Sequence, residues 1–258
     1  MTLSKNIFIL WLQGWDNVSW LNKQVAESWQ INNPDWKIHY ICLNNLKEYI
    51  DDIDYIYDCN KTISPQAKSD IIRLSLLKKY GGIWADSTLL CMKPLDTWIN
   101  EYISPIGFWM YHGHGAEMDK ENGPASWFIV SEKDNYLITK WKEECDKYWL
   151  DEERKYADNY FWMDNLFKYL YNNNEIFKDL WDKVPYIYCE LDGQSHTLAH
   201  HKMENNTLHI KKIFLNEPPF VLKLWNNWNY LFPNINTDKC IKSNAYFAIK
   251  MSKRIYKK

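Results

Sequence analysis

Residues 69–96, Ser69-DIIRLSLLKKYGGIWADSTLLCMKPL-Asp96, decide how the rest of the chain is read. No Gly or Pro interrupts Ser69 to Lys79, and Ile71, Ile72, Leu74, Leu76 and Leu77 predict a largely buried helix. Asp70 and Arg73 lie inside that apolar run at a spacing of three, so they share a face and can point together at one object. Gly81 and Gly82 end the helix, because glycine tolerates the left-handed conformation at a helix C-terminus. Ile83, Trp84 and Ala85 then form a short apolar run with the pattern of a buried strand. Asp86 comes directly off its end, followed by the hydroxyls of Ser87 and Thr88. A carboxylate at the C-terminal edge of a buried strand is costly unless a cation meets it, and open α/β sheets bind ligands at that edge. The blander reading is an Asp70–Arg73 ion pair with Asp86 capping a turn.

Outward from this stretch the chain alternates strands and helices. Asn6 to Trp11 predicts a first buried strand that opens into a loop at Gly14, and Val18 to Gln30 carries helical spacing. Trp36 to Leu43 predicts the second strand, so that strand, helix and strand form a right-handed crossover in a mostly parallel sheet. Leu46 to Ile53 reads as helical, and Asp51, Asp52 and Asp54 as a solvated acidic face. Ile106 to Tyr111 and Ala125 to Val130 are further strands. The thirteen residues from His112 to Pro124 between them hold three Gly, two His and a Pro, a loop of functional size. Tyr136 to Leu150 and Tyr156 to Tyr171 are aromatic helices, within a helical addition at about 134–182, and Val184 to Tyr188 reads as a last strand.

Composition narrows the class. At 258 residues the chain can bury one α/β domain, taken as residues 1–240, and a net charge of -2 speaks against nucleic acid as a partner. The six Cys are dispersed without a C-x-x-C pair, as in reduced cytosolic proteins. No segment reaches the roughly 18 apolar residues of a membrane span, and Ile7 to Leu12 is too short for a signal peptide, so the expected location is cytoplasmic. Residues 241–258 carry six Lys or Arg and no acid, interleaved with aromatic residues. This tail reads either as a peripheral contact with an anionic membrane face or as a solvated terminus.

The stretch at Ser69, Asp70, Arg73, Tyr80, Gly81, Gly82, Trp84 and Asp86 resembles the DXD region of sugar-nucleotide glycosyltransferases with the Rossmann-like GT-A fold. Within them it is most similar to the capsular polysaccharide synthesis proteins related to glycosyltransferase family 32. The wider family shows D-x-D; here Thr88 replaces the second acid, and Asp86-Ser87-Thr88 resembles the capsular branch. A hydroxyl is a weaker ligand than a carboxylate for a hard divalent cation.

The resemblance implies an enzyme that moves a sugar from a UDP-sugar to a hydroxyl of a growing surface polysaccharide or glycan, with a Mn²⁺ or Mg²⁺ requirement and retention of configuration. The acceptor would be a saccharide, lipid-linked or free. Trp11 and Gly14 match the family's I-W-x-x-G, with Leu10 for the Ile, which makes Trp11 the base-stacking candidate. Donor binding then falls to Trp11, Gly14, Asp70, Arg73, Gly82, Asp86, Ser87 and Thr88, and catalysis to Asp86, Asp70 and Arg73. Asp86, Thr88 and His196 are the metal candidates, His196 through the family's S/P-H-x-L element. His112, His114, Asp158 and Asp164 are candidates for the acceptor side. The rival reading is a non-catalytic carbohydrate- or nucleotide-sugar-binding protein with a degenerate motif.

Overall fold

The computed structural model describes residues 3–103, 105–113, 123–191, 194–195, 205–225 and 237–254. A five-stranded sheet in the order β2-β1-β3-β6-β5 forms its centre, from β1 (Asn6–Leu10), β2 (Lys37–Ile41), β3 (Gly82–Ala85), β5 (Phe108–His112) and β6 (Pro124–Ser131). Ile7, Phe8 and Ile9 of β1 and all of β3 are buried, which is why both strands read as continuous apolar runs rather than alternating ones.

The sheet departs from the mostly parallel expectation. β2, β1 and β3 are parallel, whereas β6 runs antiparallel to both β3 and β5. The first three strands are linked by helical crossovers, and only such a connection returns a chain in the same direction. Between β5 and β6 there is no helix length to spend, so β6 comes back antiparallel.

Helix α1 (Trp20–Asn32) starts at Ser19, whose side chain accepts from the Asn22 amide. Helix α2 (Pro65–Tyr80) is capped in the same way by Ser64, with Pro65 at its first position, the start that the Ser64-Pro65 pair signals in the sequence. It ends at Gly81, with φ 63°. Gly82 has φ 106°, and a Cβ there would stand 2.5 Å from the Asn6 carbonyl oxygen, so glycine lets β3 close on β1. Helix α3 (Ile99–Ile103) precedes β5. Helices α4 (Tyr136–Leu150), α5 (Trp162–Asn173) and α6 (Glu175–Trp181) pack on one another, and α4 packs on α2.

Further elements complete the other flank. β4 (Leu89–Cys91) pairs antiparallel with β9 (Val221–Lys223), while β7 (Glu190–Leu191) and β8 (Gln194–Ser195) form a short hairpin. Helices α7 (Leu208–Asn216), α8 (Asp238–Lys242) and α9 (Asn244–Ser252) follow. Ala245, Ala248, Ile249 and Met251 of α9 are buried, Asn32 of α1 donates to the Ser252 carbonyl, and Lys253 pairs with Glu27. The buried residues of α9 are therefore spent on packing against α7, α8 and α1; residues 255–258 lie outside the described ones. Among the described residues no helix is long and apolar enough to cross a membrane.

Three local expectations fail for visible reasons. The helix expected over Leu46–Ile53 is a single 3-10 turn, Leu46–Glu48, with a second turn following at Asp54–Tyr57. Asn45 bonds the Cys42 amide and the Tyr40 carbonyl instead of serving a helix. Helix α5 begins at Trp162 rather than Tyr156, after a turn in which Asn159 accepts from the Phe161 amide. The strand expected at Val184–Tyr188 is reduced to one parallel bridge, His112 to Tyr188, consistent with Pro185 lacking a ladder donor.

Candidate active site

A cleft of about 520 Å³ opens where β1, β3 and α2 meet. Trp11 stands at the end of β1, Asp70 and Arg73 on α2, and Asp86 at the end of β3, all in its wall. The N-terminal end of α2, at Pro65 and Gln66, also faces it, adding the positive end of a helix dipole.

Arg73 is almost fully buried and its guanidinium is held on several sides. Nη1 donates to the Ser126 carbonyl at 2.7 Å, Nη2 donates to Asp70 Oδ1 at 2.9 Å and to Ser69 Oγ at 3.2 Å, and Asp86 Oδ1 lies 3.7 Å from Nη2. The group also lies over the Trp84 ring, 5.1 Å from its centroid. With its donors so occupied, Arg73 acts first as the clamp that fixes two carboxylates.

Asp86 receives the Trp84 indole N–H on Oδ1 at 2.9 Å and the Lys223 ammonium on Oδ2. Lys223 also donates to Thr88 Oγ1 at 2.8 Å. The turn beneath is pinned from three elements: the Asp86 amide to the Trp127 carbonyl (3.0 Å), Asn22 Nδ2 to the Ser87 carbonyl (2.8 Å), and the Leu224 amide to the Thr88 carbonyl (2.8 Å). A site held this way keeps its geometry before any ligand arrives.

The three cleft carboxyls differ in their protonation. Burial alone would push Asp86 up, but Lys223 and Arg73, with the Trp84 N–H, hold it below the usual carboxylate range. Burial pushes Asp70 up to about 6, with Asp86 adding to the rise and Arg73 opposing it. Asp164, on α5, is pushed up to about 8, first by burial and then by the Asp70 charge. Its Oδ1 has no hydrogen-bond partner among the described residues. The cleft thus combines a carboxyl held low, Asp86, with one pushed up to about 8, Asp164.

The structure gathers Trp11, Asp70, Arg73, Asp86, Ser87, Thr88 and Asp164 in one cleft. It puts others elsewhere. Gly82 serves the β1–β3 contact described above, and Gly14, with φ 96° and its amide on the Trp11 carbonyl, shapes the loop that carries Trp11. Asp158 is exposed and paired with Arg154 at 2.7 Å. His112 is buried between Trp181 and Tyr186, and burial lowers its pKa to about 4. Neither is among the residues that line the cleft. His114 and His196 fall outside the described residues.

Sequence reasoning missed Lys223, which lies in a short apolar run near the C-terminal end of the chain. A lone cation in Val221-Leu222-Lys223-Leu224-Trp225 was the available signal, since a lysine in such a run must find a buried partner. Nothing in the sequence says that the partner is Asp86; that follows from the β4–β9 register, Leu89 opposite Lys223.

The donor set also bears on a divalent metal at Asp86 and Thr88, which the motif implies. One carboxylate and one hydroxyl flank the point, and an ammonium already bonds both. Among the described residues no cluster of three His, Cys, Asp or Glu could hold an ion. These residues fit an internal monocation better than a hard dication, which prefers several oxygen ligands.

A family model described as capsular polysaccharide synthesis protein matches residues 1–221. The chain belongs to that family. Over 168 residues, 58% of this chain, it is 28% identical to O-glycosyltransferase braB of Annulohypoxylon truncatum. Over 108 residues, 37% of this chain, it is 29% identical to an initiation-specific alpha-1,6-mannosyltransferase of Candida albicans. The matches span 38% and 27% of those two proteins, so this member of the family covers well under half of the curated relatives it matches. A solved structure, PaToxG Glycosyltransferase, is similar at a TM-score of 0.43 and 16% identity, over 96% of this chain and 86% of that one.

Proposed function

We propose that this capsular family member is a glycosyltransferase with a GT-A type fold, which moves a sugar from a nucleotide donor, a UDP-sugar, to a saccharide hydroxyl in surface polysaccharide or glycan synthesis. The observation that carries this is the convergence of Asp70, Arg73 and Asp86 in one cleft with Trp11 at the end of β1. An aromatic face suits a base, and fixed carboxylates suit the vicinal hydroxyls of ribose and sugar. The names of the two curated relatives support the same class of reaction.

In the transfer, the bond from the sugar's anomeric carbon to the β-phosphate oxygen breaks, and its electron pair leaves with the diphosphate. The acceptor oxygen bonds the anomeric carbon and gives its proton to the departing phosphate oxygen. Asp86, kept ionised, accepts hydroxyls of the donor; Arg73 holds it and Asp70 in register. Asp164, protonated at neutral pH, can donate as well as accept, which fits an acceptor hydroxyl. Retention of configuration is what the family resemblance implies, and the expected cytoplasmic location fits a soluble nucleotide-sugar supply. The donor set at Asp86 and Thr88 suits an ammonium better than a hard dication.

The test is UDP release from a panel of UDP-sugars by the wild-type chain and by Asp86→Asn. Slow hydrolysis of one donor, lost in the variant while its melting temperature holds, supports the reading. A folded, equally active Asp86→Asn sinks the site.

A further inference from the structure

We infer that Lys223 takes the place of a divalent cation: its ammonium, bridging Asp86 and Thr88, is the charge that meets the donor's diphosphate, and diphosphate binding needs no metal. The inference rests on the donor reading above and deepens it. In a D-x-D motif two acids flank a cation. Here the flanking groups are Asp86 and Thr88, and Lys223 Nζ bonds both.

The substitution at the second position is chemically matched to this exchange. A hydroxyl is a poor ligand for a hard dication but a full hydrogen-bond acceptor for an ammonium. Asp86-Ser87-Thr88 therefore looks complete once Lys223 is counted with it, not degenerate. The lysine is also placed with care: its strand, β9, is zipped to β4 with Leu89 opposite Lys223, and the Leu224 amide bonds the Thr88 carbonyl. Its side chain is only 15% exposed, yet it lines the cleft.

Lysine has three N–H donors. Among the described residues two are accounted for, by Asp86 and Thr88, which leaves one for a phosphate oxygen. A single positive charge neutralises less than a dication. The N-terminal end of α2 on the same cleft adds to it, and a protonated Asp164 takes nothing away.

Calorimetric titration of UDP, in EDTA and again in Mn²⁺, into the wild-type chain, Lys223→Arg and Lys223→Met tests this. Wild-type affinity should agree within about twofold between the two buffers. Lys223→Met should lose about ten- to a hundredfold in both, the size of one charge-assisted hydrogen bond, while Lys223→Arg recovers most of it. Uridine, without the diphosphate, should bind the wild type and Lys223→Met alike. A wild-type affinity that drops about tenfold or more in EDTA overturns the inference and leaves the donor reading standing. So does a Lys223→Met that binds UDP as the wild type does. Absence of both UDP and uridine binding to the wild type overturns the donor reading and this inference with it. Should Lys223→Met melt early, the wild-type comparison in EDTA and Mn²⁺ still decides.

Discussion

Two lysines sit in acidic clusters of this protein, and they differ in how completely those clusters close. Lys142, on α4, is fully buried; it bonds both oxygens of Asp146 at 2.6 Å and reaches Asp52 at 3.3 Å. All three of its donors are thereby used, and the Tyr55 hydroxyl donates to Asp146 as well. Lys223 is less buried, has two partners on neighbouring positions of one turn, and faces a cleft beside Asp164, whose Oδ1 has no partner among the described residues. A closed cluster stabilises the fold and offers nothing to a ligand. An open one keeps part of its bonding capacity for whatever enters. The comparison predicts that disturbing the first changes stability and disturbing the second changes binding.

The largest effect should come from the open cluster. Asp86→Asn should lower sugar transfer by about 100- to 1000-fold, the range for removing one preorganised electrostatic group. Its melting temperature should stay near wild type, as a paired transfer assay and thermal melt would show. Lys142→Met should do the reverse: a loss of about 2–3 kcal/mol in denaturant unfolding, from the stranded Asp146 charge, with UDP affinity per folded molecule unchanged.

How far the site was legible in the sequence follows from the same contrast. Asp70, Arg73 and Asp86 lie within seventeen consecutive positions of one helix-turn-strand unit, so local spacing alone brought them together. Lys223 stands 137 positions from Asp86, and only the β4–β9 pairing joins them. Asp164 stands in the sequence between Phe161-Trp162-Met163 and Leu166-Phe167, which marks it as an acid set in an apolar run. Asp158 looked similar but lies in the turn before α5, where Arg154 takes it to the surface. The parallel half of the sheet was readable from the strand–helix–strand order, and the antiparallel half was not, because a loop between two apolar runs does not state direction. The stretch after Ile241 read as a basic tail since its buried face, Ala245, Ala248, Ile249 and Met251, is set among lysines.

Smaller effects sharpen the comparison. Trp11→Ala should weaken UDP about tenfold in titration calorimetry if its ring carries the base, since stacking on an aromatic side chain is worth about 1–3 kcal/mol. A pH series on folding stability reports Asp164. Its folded pKa, about 8, lies above the ordinary value, so the unfolded chain gives up the proton first as pH rises. The stabilising contribution is full below the ordinary carboxylate range near pH 4 and is lost as pH climbs to about 8. Asp164→Asn should flatten that decline in denaturant midpoints taken across the window; an unchanged slope would remove the protonated carboxyl from the site. The smallest change is expected at Asp158, whose exposed pair with Arg154 should cost under about 1 kcal/mol on Asp158→Asn, with transfer unaffected.

The most direct measurement is a crystal structure of the protein with UDP. The account predicts the uracil against Trp11 and a phosphate oxygen within hydrogen-bonding distance of Lys223 Nζ, with Asp86 and Thr88 still on the lysine. A metal ion seated between Asp86 and Thr88 with Lys223 displaced, or the nucleotide bound outside this cleft, would contradict it.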